Sequence, residues 1–203
     1  MNPADRDLLA APGDTAPAER ADAARNRGKI LAAAAELFAS RDPRTVTMDD
    51  IAKAAGVGRG TLYRRFPNVA AVALPLLDEH ERVIQEQLLR GAPPLGPGAP
   101  PAERLAAFYA AMVALLDGHA HLVLGAEIGR ARFDTGAYQF WRVHVRALLG
   151  EAAVPEADSL VEPLLAPLAA EVYLNQRERG IGNAEIVAAL GRLAHALLAA
   201  PPP

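Results

Sequence analysis

Residues 47–66, TMDDIAKAAGVGRGTLYRRF, decide the fold of this chain. Thr47 and Asp50 have the spacing of a capping box, which satisfies the free backbone N–H groups at the start of a helix. Gly56 stands where the chain must turn with a positive φ. Small and apolar residues flank it at the offsets that hold two crossing helices together: Ile51, Ala52, Ala55, Val57 and Leu62. The spacing predicts a helix-turn-helix.

The second helix of this motif, predicted over residues 59–65, exposes side chains that can hydrogen-bond to the phosphates and base edges of DNA. The predicted DNA-binding residues are Thr47, Arg59, Gly60, Thr61, Tyr63, Arg64 and Arg65. We expect Tyr63, Thr47 and Arg65 on phosphates. We expect Arg59, Thr61 and Arg64 on bases or nearby phosphates, while Gly60 lets the backbone approach closely. A helical hairpin that merely packs is the alternative interpretation of this pattern.

The charge distribution agrees with a DNA-binding N-terminal part. Residues 20–67 contain ten basic and five acidic residues, whereas residues 68–203 contain ten basic and fifteen acidic ones, and the whole chain has a net charge of −3. A basic region joined to an acidic remainder is expected when one end of a protein meets phosphate. Ordinary variation of surface charge would produce the same asymmetry, so charge alone does not decide between the two.

Almost every segment has the apolar periodicity of a helix, and no segment is a convincing strand. Besides the two helices of the motif, helices are predicted over residues 20–40, 69–90, 102–117, 119–131, 135–151, 158–179 and 183–199. Prolines and glycines within residues 91–101 predict a mobile connection. We therefore predict an all-α fold with a disordered tail (1–19), a three-helix helix-turn-helix DNA-binding domain (20–67) and a larger helical domain (68–200). Leu37, Phe38 and Phe66 are expected to close the core of the DNA-binding domain.

Composition excludes several classes of protein. The chain contains no cysteine, so it has no disulfide framework, no thiolate metal site and no cysteine nucleophile. Its apolar runs are short and broken by Arg, Glu or Pro, so no membrane segment is predicted. The first nineteen residues hold no apolar stretch of the length that a signal peptide needs. We expect a cytoplasmic protein.

The string TVTMDDIAKAAGVGRGTLYRRFPN, over residues 45–68, follows a helix that ends AAAAELFAS. Together they closely resemble the N-terminal domain of the TetR-type (tetracycline-repressor-like) regulators, and the match is close over about residues 25–78. The resemblance implies a DNA-binding domain followed by a helical domain for ligand binding and dimerisation. It also implies a homodimeric, ligand-responsive repressor on a palindromic operator, with a small-molecule effector and no cofactor.

Two residues depart from the pattern of that family. Gly58 stands where the family usually has Ser or Thr at the N-cap of the second helix, so this cap is expected to be weaker by a few tenths of a kcal/mol. Val69 stands where the family commonly has a basic residue. One phosphate contact is therefore expected to be missing, although the N-terminus of the helix that Val69 begins still suits an anion.

The helical remainder offers candidates for a ligand site and a dimer face. The predicted ligand-binding residues are Tyr109, Met112, Trp141 and His144, which are aromatic or polarisable side chains that could line a cavity. Residues at helical spacing in the last two helices predict a dimer face, following the resemblance: Leu160, Leu164, Leu168, Val172, Ile186, Leu190, Leu193 and Leu197. For every one of these residues, ordinary packing in the chain's own core is the alternative.

Three further interpretations compete with that of a regulator. His119 and His121 suggest a metal, but two histidines on different sides of a helix make a poor site, so no metal is predicted. Glu127 and His144 would be the acid and base of an enzyme, yet the chain has no nucleophile motif, phosphate loop or metal triad, so no enzyme is predicted. A protein-interaction module would use the basic face to bind an acidic partner.

Overall fold

The computed structural model describes residues 15–126, 133 and 135–198. Through these ranges run nine α-helices: α1 (Thr15–Ser40), α2 (Met48–Ala55), α3 (Arg59–Arg65), α4 (Val69–Arg90), α5 (Pro101–Ala126), α6 (Gly136–Glu151), α7 (Ala157–Leu165), α8 (Ala170–Glu178) and α9 (Asn183–Leu198). Short 3₁₀ turns lie at Pro43–Thr45 and Ala166–Leu168. Every regular element of the described residues is helical, which confirms the predicted all-α fold.

The helices differ from the predicted ones by more than one residue in three places. Helix α1 begins at Thr15, so residues 15–19 of the predicted disordered tail are helical, and residues 1–14 lie outside the described residues. The helices predicted over 102–117 and 119–131 form the single helix α5, with a kink at His119, whose φ of −139° is not helical. Residues 127–131 of that prediction lie outside the described part.

The helix predicted over residues 158–179 is divided into α7, a 3₁₀ turn and α8. Pro167 lies in the turn, where its ring removes a backbone N–H that a continuous helix would need. The backbone leaves helical geometry at Ala169, whose φ of −62° and ψ of 136° are extended. Apolar residues recur at helical spacing across this break, so the sequence pattern did not show that the helix is interrupted.

The connection between α4 and α5 is anchored at one point. It is a series of turns in which Leu95 packs against the core formed by α4–α9. The Gly96 N–H donates to the Ala92 carbonyl at 3.0 Å. This segment was predicted as a mobile connection, and one apolar residue ties it to the core.

Two apolar cores lie along the molecule. The first is formed by α1, α2, α3 and the start of α4, with Phe38 and Phe66 buried and Leu37 packed beside them. The second is formed by α4–α9 around α5, which packs most extensively against α9 and α4.

Helices α4 and α5 belong to both cores. Val72 and Leu77 of α4 lie in the first core, whereas Ile84 lies in the second. Leu122 near the end of α5 also packs in the first core. A Cβ on Gly125 of α5 would lie 3.3 Å from the Cβ of Ala73 and would also touch the Phe38 ring, so glycine lets α5 approach α4 here.

Helix α5 is long and apolar enough to cross a membrane by length and composition alone, a test that the core helix of a globular protein also passes. The sequence pattern divided this segment into two predicted helices at residue 118, and each of them was too short to span a membrane. Leu105, Phe108 and Leu116 are buried in the second core. We therefore assign α5 as the central core helix.

Candidate nucleic-acid interface and ligand cavity

Helix α2 begins with the capping box that the sequence predicted. The Asp50 N–H donates to Thr47 Oγ1 at 3.1 Å, and the Thr47 N–H donates to Asp50 Oδ2 at 2.9 Å. Gly56 ends the helix in the left-handed conformation, with φ of 63°. The hydroxyl and backbone hydrogen bonds from Thr47, together with the Arg41 guanidinium, hold the pKa of Asp50 below its usual value. This box fixes the start of α2 relative to the turn that leads to α3.

Helix α3 is attached through one face and exposed on the other. Leu62 is fully buried, and Phe66, which ends the helix, is 5% exposed. Tyr63 is 50% exposed, and Arg64 and Arg65 are also exposed. The short helix therefore presents its polar face outward while two apolar side chains hold it on the first core.

The N-terminus of α3 has a glycine cap. Gly58 makes no side-chain capping bond, and its carbonyl accepts from the N–H groups of Thr61 at 3.0 Å and Leu62 at 3.1 Å. An added Cβ at Gly60 would meet no atom within 4 Å, so the protein surface beside Gly60 is open. Only a backbone carbonyl, and no side chain, therefore caps the start of α3.

The predicted DNA-binding residues differ in how far they are already engaged. Arg59 pairs with Asp49 at 2.5 Å. Thr47 donates its hydroxyl hydrogen to Asp50 at 2.7 Å, so this donor is used within the capping box. In contrast, Arg64 and Arg65 make no ion pair within the described part of the chain. Thr61 is half-buried.

A concave surface beside α3 contains two polar residues that sequence reasoning did not assign to the site. Its lining consists of Arg44, Val46, Met48, Tyr63, Pro67, Asn68, Val69 and Ala70. The Asn68 side chain caps α4 by accepting from the Ala71 N–H at 2.8 Å. Arg44 is held by Asp42 at 2.8 Å and by Glu171 of α8 at 3.1 Å. Asn68 could have been found, since asparagine before an apolar run is an N-cap pattern.

A small, largely apolar cavity of about 60 Å³ lies between α4, α5, α6 and the end of α7. Its lining consists of Leu74, Leu77, Glu81, Met112, Leu115, Leu116, Val123, Ala126, Thr135, Tyr138, Trp141, Leu165 and Leu168. A shallower groove adjoins it and shares Leu74, Glu81 and Thr135 with it. The volume of the cavity is below the range of small-molecule sites, about 300–1,000 Å³, whereas the adjoining groove, with about 650 Å³, lies within that range.

The structure brings two of the four predicted ligand-binding residues to this cavity. Met112 and Trp141 line it. Tyr109 is fully buried in the second core, where its hydroxyl donates to the Leu164 carbonyl at 3.0 Å. His144 packs beside the Phe108 ring, with 5.4 Å between ring centroids. Tyr109 and His144 therefore lie behind the cavity wall rather than on it.

The buried histidine is held neutral. His144 is 8% exposed, and burial lowers its pKa to about 4, with the nearby Arg104 charge acting in the same direction. The Nε2 atom of His144 has no hydrogen-bond partner among the residues that the structure describes. The enzyme interpretation paired this histidine with Glu127, which lies outside the described residues.

Glu81 on α4 is the charged residue of the cavity, and sequence reasoning missed it. It is the carboxylate of the lining, and burial raises its pKa to about 7, with the negative charge of Asp78 adding to the effect. Tyr138, on the same wall, donates its hydroxyl to Glu162. Only the fold could reveal Glu81, because in the sequence it sits in the run DEHER, which looks like a solvated face.

One of the two histidines considered as metal ligands contacts a third histidine. The His119 ring stacks on His80 of α4, with centroids 3.8 Å apart. Burial lowers the pKa of His119, and the charges of His80 and His121 act in the same direction. Among the residues that the structure describes, no group of three potential ligands is close enough to hold a metal ion.

The predicted dimer face is mostly turned inward. Leu164, Leu168, Ile186 and Leu190 are buried in the chain's own core, and Leu160 and Leu197 pack partly against it. Val172 on α8 and Leu193 on α9 are 41% and 54% exposed. Those two residues are the apolar part of the predicted face that is available to a partner.

Comparison with known proteins matches the N-terminal part of the chain. Residues 30–74 fit the family described as bacterial regulatory proteins, tetR family. An uncharacterised HTH-type transcriptional regulator of Mycobacterium tuberculosis is 39% identical over 61 residues, which is 30% of each chain. The HTH-type transcriptional regulator EthR of the same organism is 47% identical over 49 residues, 24% of this chain and 23% of EthR. The matched segments thus span under a third of these relatives.

Solved structures share the fold over most of the chain. The MbdR regulator from Azoarcus sp. CIB is 22% identical, with a TM-score of 0.54, over 88% of this chain and 100% of that one. RolR, solved without ligand, is 18% identical, with a TM-score of 0.55, over 87% of this chain and 98% of that one. At this level of identity the likeness concerns the fold.

Proposed function

We propose, from the premise that this chain belongs to the TetR family of bacterial regulatory proteins, that it is a DNA-binding transcription regulator. In the finer form of the proposal it is a ligand-responsive repressor that binds a palindromic operator as a homodimer. The observation that carries the proposal is the geometry of α3. Leu62 is fully buried, while Tyr63 and Arg64 on the opposite face are exposed.

The outward face of α3 suits contact with DNA. Arg64 and Arg65 are cations without an ion pair among the described residues, and each can neutralise a phosphate or bind a guanine edge. Tyr63 lies on the concave surface at the N-terminus of α4 and suits a phosphate. Arg59 contacts DNA either after its ion pair with Asp49 breaks or while that ion pair stays intact. We keep Thr47, Gly60 and Thr61 as secondary contacts, Thr47 through its backbone or by exchanging its hydroxyl hydrogen bond.

A homodimer would place two copies of α3 on one DNA duplex. The exposed Val172 and Leu193 support an interface through α8 and α9. A two-fold axis between the subunits corresponds to a palindromic site, in which the half-sites lie about one helical turn or a multiple of it apart. We propose this arrangement for the chain.

The cavity is the proposed effector site. Its wall includes Leu74 and Leu77 of α4, and α4 also packs in the first core, which carries α3. A ligand that fits the cavity better when α4 is displaced would favour a dimer whose α3 helices are wrongly spaced for the operator. The same coupling requires that operator DNA weaken effector binding by an equal factor.

Selection of bound duplexes from a random DNA pool tests the proposal. The protein and its Tyr63→Ala, Arg64→Ala and Arg90→Ala variants are compared at fixed salt. Arg90 is an exposed arginine at the far end of α4, paired with Glu86 at 3.0 Å, so it controls for loss of one positive charge. We expect a palindrome from the parent and from Arg90→Ala, with affinity reduced by about tenfold or more in Arg64→Ala.

The salt dependence of binding distinguishes the kind of contact. Loss of a phosphate contact lowers the slope of log affinity against log salt by about one, whereas loss of a base contact changes sequence preference. Absence of any enriched duplex, or equal enrichment by all four proteins, would contradict the proposal and favour the enzyme or interaction-module interpretation.

A further inference from the structure

The cavity combines an apolar wall with one carboxylate. Leu77, Leu116 and Leu165 face the space together with Trp141, and Glu81 lies among them on α4. Such a wall binds a hydrophobic body well. A carboxylate in the same wall is unfavourable for that body unless the ligand supplies a group that pairs with it.

Glu81 makes no ion pair and no hydrogen bond with the described residues. Two polar side chains that line the cavity or its groove are used elsewhere: Arg82 pairs with Glu79, and the Tyr138 hydroxyl donates to Glu162. Asp78, one turn earlier on α4, lies in the adjoining groove and adds a second negative charge. The cavity and its mouth therefore have a negative potential that nothing in the described part of the protein neutralises at Glu81.

We propose that the effector is a lipophilic amine, a hydrophobic molecule with a basic nitrogen that pairs with Glu81 while its apolar body packs against Trp141 and the leucines. This inference rests on the proposed function, because it names the ligand class of the proposed effector site. A charge-assisted hydrogen bond to a desolvated carboxylate is about twice as strong as a neutral one. An acidic ligand of the same shape would be repelled.

Three probes of equal length separate charge from hydrophobicity: 4-phenylbutylamine, 4-phenylbutanol and 4-phenylbutanoate. Trp141 is the only tryptophan of the chain and lies in the cavity wall, so its fluorescence reports binding directly. The titrations are made on the full chain at about pH 8, where the Glu81 carboxyl is ionised because its pKa is about 7. We expect the amine to bind about tenfold more tightly than the alcohol, and the carboxylate to bind most weakly.

Two variants test whether Glu81 causes the preference for the amine over the alcohol. Glu81→Gln keeps the shape and removes the charge, so we expect the amine and the alcohol to bind within about threefold of each other, with the alcohol unchanged. Glu79→Gln removes a carboxylate two residues away, on an exposed side chain paired with Arg82, and should keep the tenfold preference. A preference unchanged in Glu81→Gln, or an alcohol that binds the parent as tightly as the amine, would overturn the inference.

Binding of none of the probes up to about 1 mM would also overturn it, because the cavity would then hold no ligand of this class. Operator selection without any probe tests the proposed function separately. If the protein selects a palindrome but shows no preference for the amine, only the inference about the ligand is wrong. If it selects no DNA, the proposal that it is a regulator is wrong.

Discussion

The pH dependence of stability is expected to change when Glu81 becomes glutamine. Burial raises the pKa of Glu81 from 4.5 to about 7 in the folded protein. The folded state then holds this proton more tightly than the unfolded state, so stability falls as pH rises from about 4.5 through 7. The free-energy cost of ionising Glu81 in the folded protein is absent below pH 4.5, the pKa in the unfolded state, and complete above about pH 7, the pKa in the folded state.

The size of the effect follows from the shift. One pKa unit corresponds to about 1.4 kcal/mol, so the shift sets an upper limit of about 3 kcal/mol. Glu81 is only partly buried and borders the open groove, so solvent reduces this to about 2 kcal/mol. Removing the ionisable group should therefore stabilise the protein by about 2 kcal/mol at pH 8 relative to pH 5.

Urea unfolding measures this difference, at a fixed protein concentration because the stability of the proposed dimer would depend on concentration. The parent, Glu81→Gln and Glu79→Gln are each unfolded at pH 5 and pH 8. We expect Glu81→Gln to gain more stability relative to the parent at pH 8 than at pH 5, where only a small part of the cost is present, and Glu79→Gln to follow the parent within about 0.5 kcal/mol. An equal effect of Glu81→Gln at both pH values would refute the reasoning, since it would show that the ionised carboxylate costs nothing.

Three further substitutions test the N-terminal helices. Thr47→Ala removes the capping hydroxyl of α2 and should lower the free energy of unfolding by about 0.5–2 kcal/mol, whereas Thr47→Ser should stay near the parent; equal urea midpoints for alanine and parent would contradict the cap's role. Gly56→Ala places a side chain at φ of 63° where no atom lies within 4 Å, so we expect a loss of about 1–2 kcal/mol from backbone strain alone, and a neutral result in thermal unfolding would argue against that strain. Asp49→Asn frees Arg59 and removes a negative charge beside α3, so anisotropy titrations with a duplex of arbitrary sequence should show a salt slope steeper by about one; an unchanged slope would mean that Arg59 stays away from phosphate.

The sequence predicted the N-terminal part of the fold because local rules decide it. The capping box at Thr47, the turn at Gly56 and the start of α4 at Val69 each depend on a few neighbouring residues and lie where they were predicted. The break at Ala166–Leu168 was missed, since leucines continue at helical spacing through it. Only the proline at position 167 indicated it.

The composition of the cavity wall could be predicted only in part. Met112 and Trp141 lie on it, but Tyr109 and His144 belong to the same helix faces and are buried behind it. Whether an apolar side chain meets a void or another side chain depends on how α4, α5 and α6 pack together, which no local pattern contains. Glu81 was missed for the same reason, because its exposure is set by neighbours that are distant in sequence.

The sharing of α4 and α5 between the two cores has a consequence for recombination of this protein with others. A fragment cut after Pro67 would lose Val72 and Leu77 of α4 and Leu122 of α5, and Phe38 and Leu62 would be left facing water. A chimera that transplants only the motif would therefore aggregate or remain partly unfolded. The smallest portable unit includes the first turns of α4 and a surrogate for the end of α5, so it is larger than the helix-turn-helix motif itself.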